Sequence, residues 1–178
     1  MANLQFYFLG TAQYLQDIGA KSKNVPALMA IAQLAQVVAT WWLIAWMLGK
    51  YGWGRTLTVG IFSWLALYVI YSLEKPKLLV IGSMAFHGIA YVLFVIGGIW
   101  FVDYYVENVA KDMSIQHSAQ SLLTMVTIGL GLFVGTQFTG VVMDKFSKEG
   151  KFAWRPIYLV PCAFLAASAI AMLLFFKH

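Results

Sequence analysis

The side chains in this sequence that could take part in chemistry are few, mostly neutral and set among apolar neighbours. Gln13, Gln33, Gln36, His87, Gln120, Thr124, Thr127 and Gln137 all fall inside apolar stretches. Gln33 and Gln36 are three residues apart, which puts both on one face of a helix. With Gln13 on a neighbouring helix they would make a polar wall. An amide donates and accepts at once, so such a wall suits a neutral hydroxylated or heterocyclic solute. The alternative is that each amide satisfies a neighbouring helix. Two readings are also open for His87. An imidazole titrates near neutrality and can relay protons, or it can serve as a helix-packing hydrogen-bond partner. Tyr91, one turn after His87, is a candidate for the same cavity.

Catalysis is not expected. The seven acidic residues, Asp17, Glu74, Asp103, Glu107, Asp112, Asp144 and Glu149, fall where apolar blocks end. No HExxH, CxxC or glycine loop before a lysine is present, so no metal, cofactor or catalytic residue is assigned. Cys162 is the single cysteine, which rules out a disulfide within the chain, and its apolar surroundings mark it as a packing residue.

The elements that carry these residues follow from composition. Hydrophobic residues make up 61% of the 178 and charged residues 11%, with mean hydropathy +0.76. An ordinary soluble domain has about 25% charged residues, so the solvent that fits this chain is lipid. Charges are absent from 24–49, 56–73, 78–102, 118–143 and 156–176. Each block approaches or exceeds the roughly 18 to 20 residues that cross a bilayer as a helix, and all are too long for barrel strands. The segment 3–18 is apolar but too short for a full span. The expectation is an all-α integral membrane bundle of about six helices, in one domain over 1–178. Its spans are 3–18 (partial), 24–49, 56–74, 78–103, 115–143 and 155–176. Short connections at 20–23, 50–55, 74–77, 103–117 and 144–155 make successive helices antiparallel. Trp53, Tyr104, Tyr105, Trp154 and Tyr158 are expected in the headgroup zone. The pairs Gly131/Gly135 and Thr136/Gly140, and the series Ala163, Ala167 and Ala171, are spaced for close helix packing. The net charge of +5 reads as interfacial anchoring, with no basic stripe for nucleic acid. No cleavable signal peptide is evident.

Several stretches carry a family resemblance. FYFLGTAQYLQDIG (6–19), NVPALMAIAQLAQ (24–36), HGIAYVLFVIGG (87–98) and QHSAQSLLTMVTIGLG (116–131) occur in that order. They resemble the C-terminal half of a major facilitator superfamily transporter, in particular the nucleoside:proton symporter family. LGKYGWGRTL (48–57) resembles the superfamily's glycine- and arginine-containing loop. The resemblance covers essentially the whole chain and makes the first segment helix seven of twelve, entered partway. It implies secondary active transport of a small polar solute, a nucleoside, across the cytoplasmic membrane by alternating access. Gln13, Gln33, Gln36 and Tyr91 would face the substrate. The partners implied are the bilayer, the solute and a missing N-terminal six-helix half or a second copy. Acidic residues that the nucleoside branch carries in its membrane interior are replaced here by Gln36 and Val92.

Family topology puts the 50–55 and 103–117 connections and the C-terminus in the cytoplasm, with Lys50, Arg55, Lys111 and Lys177. The other end holds the remaining eight basic residues, and the positive-inside rule points the opposite way. Two further readings are carried: a self-contained six-helix protein that dimerises into a pore or carrier, and a membrane scaffold that transports nothing.

Overall fold

A backbone in lipid has to satisfy its own hydrogen bonds. In the computed structural model, which describes residues 1–176, nearly the whole chain accordingly is helix. Helix α1 is Leu4–Asp17. The 52-residue helical run Ser22–Leu73 follows. It is two helices, because Gly52 (φ 73°, ψ −177°) breaks it in a conformation essentially reserved for glycine. Helix α2 is therefore 25–51 and α3 is 53–73. Then come α4 (Lys77–Ala110), α5 (Met113–Lys145) and α6 (Trp154–Phe175). The strands β1 (Ser147–Lys148) and β2 (Lys151–Phe152) form a small antiparallel hairpin before α6. Among the described residues four helical runs are long and apolar enough to cross a membrane, and the first of them contains the α2–α3 reversal.

Contacts along α4 fix the directions. Gly88 meets Ala32 of α2 and Gly97 meets Ile44, so α2 runs parallel to α4. His87 meets Trp64 of α3, Phe94 meets Gly60 and Gly97 meets Leu57, so α3 runs antiparallel to both. The six-residue connection expected at 50–55 thus shrinks to a reversal at one glycine. The connection expected at 103–117 also contracts. Helix continues through Ala110, and Lys111 (φ 52°) makes the turn. Charge marks where lipid ends, and a helix can run on beyond that point into the headgroup zone.

The interior is aromatic. Tyr7, Tyr14, Tyr68, Tyr71 and Tyr158 are among the largest fully buried side chains. Tyr14, Tyr71 and Tyr158 pack tilted or edge-to-face with ring centroids 5.0 to 5.1 Å apart and join α1, α3 and α6. Edge-to-face geometry at such spacing adds to the area buried. Tyr14 Oη donates to the Tyr71 carbonyl at 2.7 Å, and Trp154 Nε1 donates to Asp17 Oδ2 at 2.8 Å. Trp154 and Tyr158 are therefore buried in the bundle instead of ringing its surface. They stand at a helix end, and α1 and α3 cover them there.

Small-residue spacing has mixed outcomes. A Cβ on Gly135 would lie 2.6 Å from Ala2 Cα, so this glycine seats the N-terminal residues on α5. Gly140 has open space beside it, and Ala163, Ala167 and Ala171 face outward. Among the described residues, helix α5 is covered mainly by α1, the first residues and the end of α4, with Phe138 meeting Phe164 of α6 edge-on. Lys177 lies outside the described residues.

Candidate functional site

Helix α2 starts with Pro26 in its first turn, where a missing N–H costs nothing. One face carries Ala32, fully buried, and the other carries Gln33, Gln36 and Thr40. The buried face sits directly on α4. A Cβ on Gly88 would lie 2.1 Å from the Ala32 carbonyl oxygen and 2.7 Å from the Gln36 backbone nitrogen. Backbone thus meets backbone at the level of the glutamines, which fixes where Gln36 can stand. Immediately beyond, α2 widens into a π-helical turn at Ala39–Leu43, and α4 does the same at Tyr91–Ile96. Ala39, Val92 and Leu93 pack these two turns together.

Gln33, Gln36, Val37, Thr40 and Trp41 line an open cavity of about 640 Å³. The glutamine hydrogen bonds of the described residues engage Gln13, Gln16, Gln116 and Gln120, and leave Gln33 and Gln36 free. Trp41 is 90% exposed at the cavity edge and presents a ring face on which a planar solute can stack. The site therefore combines two free amides, one hydroxyl and one aromatic plane, without a charge.

The other candidates go elsewhere. Gln13 donates to Asp17 Oδ1 at 2.7 Å on the same helix and is not part of this lining. Tyr91 is half-buried against the main core and also lies outside the lining. His87 is buried among aromatics. Its ring stacks on Tyr7 with centroids 3.6 Å apart, and its Nδ1 accepts from Trp64 Nε1 at 3.4 Å. Gln120 reaches α4 and donates to the Ile99 carbonyl at 2.8 Å and to Asp103 Oδ1 at 2.9 Å. Thr124 and Thr127 line a separate apolar cavity of about 300 Å³ between α4 and α5, and Thr127 Oγ1 donates back to Leu123. Gln137 is exposed on α5. Among the described residues no group of three or more His, Cys, Asp or Glu could hold a metal ion.

Three contributors were not singled out from the sequence. Thr40 and Trp41 follow Gln33 and Gln36 on the same exposed side, and continuing the helical spacing past Gln36 would have found Thr40. Gly88 sits beside His87, and nothing in one sequence marks it as a backbone contact.

A profile described as "Nucleoside H+ symporter" matches residues 1–178. The nucleoside permease NupG of Escherichia coli (strain K12) is 25% identical over 162 residues, covering 88% of this chain and 37% of that protein. The xanthosine permease of the same organism is 28% identical over 157 residues, covering 85% and 36%. A crystal structure of the nucleoside transporter NupG superposes with a TM-score of 0.86 at 23% identity, over 99% of this chain and 45% of that one. At that identity the superposition shows the fold. The chain thus spans less than half the length of the relatives it matches.

Proposed function

This chain belongs to the nucleoside H+ symporter family, and we propose that it forms one wall of a cavity that carries a nucleoside across the cell membrane by alternating access. The observation that carries this reading is the pair of free amides on Gln33 and Gln36, opening into an uncovered cavity beside Trp41. A nucleoside presents a planar heterocycle with paired donors and acceptors and a hydroxylated sugar. Amides match the edge of the heterocycle and an indole face matches its plane. Gln13, held by Asp17, and Tyr91, packed on the core, contribute position in this conformation. The opposite wall comes from a further six-helix half, which accords with the relatives' greater length. The superfamily places its substrate between two such halves.

His87 serves packing in this reading. Its ring meets the rings of Tyr7 and Phe8, and its hydrogen-bond partner among the described residues is the uncharged Trp64 indole. A pH-rate profile that keeps its shape in His87→Asn supports packing, and one that loses an ionisation supports the relay.

Liposomes containing only this chain should accumulate no radiolabelled uridine, whereas cells expressing the whole transporter should take it up, with excess unlabelled nucleosides competing and sugars failing to compete. Robust uptake by the chain alone would favour a self-contained dimer. Unchanged function after Gln33→Leu and Gln36→Leu would favour a scaffold.

A further inference from the structure

Where α2 reverses into α3, a second cavity of about 530 Å³ opens. It shares no residue with the glutamine-lined cavity. Val59 and Phe62 on α3 line it together with Met172 and Leu173 on α6. Arg55 lines it close to the Gly52 reversal. From Arg55 to Phe62 is two helical turns, about 10 Å along the axis. A cation therefore stands at the end where the chain leaves the membrane, and hydrocarbon lines the way inward.

The mouth carries a second cation. The Lys50 ammonium lies 5.3 Å from the ring centroids of both Trp46 and Tyr51, and both rings belong to the cavity lining. Trp and Tyr at that level are typical of the headgroup zone. Two carboxylates at this end of the bundle are already engaged. Asp103 accepts from Gln116 and Gln120, and Asp112 accepts from Ser114. The hydroxyl of Thr58 turns back to the Gly54 carbonyl at 2.7 Å, so it offers no donor to a polar solute. An apolar groove with Arg55 and Lys50 at its outer end suits an amphiphile, a hydrocarbon chain with an anionic head such as a phosphate.

We propose that this cavity binds one anionic phospholipid, with its phosphate held by Arg55 and Lys50 and an acyl chain laid along Val59, Phe62 and Met172. Basic pockets between membrane helices recognise anionic headgroups in this way. The planar fork of Arg55 can take two phosphate oxygens at once, and Lys50 adds a point charge. This site stands apart from the solute cavity and does not depend on its assignment.

The test is native mass spectrometry of the purified protein in mild detergent with equimolar phosphatidylglycerol and phosphatidylcholine. The expected result is preferential retention of one phosphatidylglycerol by about tenfold, the factor that 1.4 kcal/mol provides. The double variant Lys50→Gln/Arg55→Gln should lose the preference, while Lys148→Gln, at the opposite end, keeps it. Should the double variant not fold, Val59→Trp fills the groove with both cations in place and should lower retention of either lipid. Equal retention of the two lipids by the unmodified protein overturns the proposal, as does an undiminished preference in Lys50→Gln/Arg55→Gln. Displacement of the lipid by millimolar inorganic phosphate overturns the acyl-chain half of the assignment.

Discussion

On α2, Gln33 and Gln36 open their amides into an uncovered cavity, while on α5 Gln116 and Gln120 close theirs onto Asp103 and Ile99 of α4. The two pairs have similar helical spacing, three residues in one case and four in the other. Their fates differ because the α5 pair faces α4, while Gln33 and Gln36 lie on the face of α2 turned away from it. Near its end α4 presents a carboxylate and a carbonyl that accept an amide. At Gly88 it presents only bare backbone, pressed against α2 too closely for any side chain to intervene. Side-chain type alone does not make a binding group in a membrane protein, since the opposing helix decides whether the amide is already satisfied.

The strongest way to break this contrast is at Gly88. Gly88→Val places a side chain where a Cβ would already be 2.1 Å from the Ala32 oxygen, and that atom is backbone and cannot swing aside. Overpacking of this kind costs about 1–3 kcal/mol and at times more. The expected outcome is loss of the monodisperse peak in size-exclusion chromatography, with uptake lost alongside.

A milder change should separate binding from folding. Gln33→Leu and Gln36→Leu each remove hydrogen bonds to solute that are worth about 1–1.5 kcal/mol apiece, so uptake should fall about tenfold per substitution. Melting temperature should stay level, because no protein group relies on either amide. The converse holds on α5. Gln120→Leu leaves the Ile99 carbonyl and Asp103 short of a donor and should destabilise the protein by about 1–2 kcal/mol. Uptake per folded molecule should stay the same, as thermal melting and uptake normalised to membrane abundance can show.

The smallest effect concerns the start of α5. Asp112 accepts from the Ser114 hydroxyl and backbone N–H, and these bonds hold its carboxyl below the ordinary value of 3.8. A carboxyl lowered in the folded state contributes stability above its unfolded value and loses it as pH falls through the folded one. Melting temperatures of the wild type and Asp112→Asn should therefore differ at pH 6, draw together as pH falls below 3.8, and coincide only once the carboxyl of the folded protein is protonated.

Much of this contrast was legible in the sequence, and part of it was not. Charge-free blocks disclose an all-helical membrane bundle because lipid excludes charge, and Gln33 and Gln36 share a face by spacing alone. The ends of α4 were not legible, since Asp103 and Glu107 place charge inside a helix that runs on to Ala110, and charge marks where lipid ends and not where a helix ends. The burial of Trp154 and Tyr158 was hidden because an amphipathic ring at a helix end is equally at home against lipid headgroups or against α1 and α3. The place of Gln13 outside the glutamine-lined cavity was hidden because its amide is held by Asp17, which also accepts from Trp154, a partner distant in sequence. The contact at Gly88 requires knowing which helix passes it, and one sequence does not say.

The most direct test of the central claim is uridine uptake by cells that lack their own nucleoside permeases, expressing the whole transporter with Gln33→Leu/Gln36→Leu or with Gln120→Leu at matched membrane abundance. The α2 pair should lower uptake about a hundredfold, tenfold for each lost amide, while the α5 variant transports at the unmodified rate per molecule. Retained uptake in the α2 pair, or an equal loss in both variants, would contradict that claim.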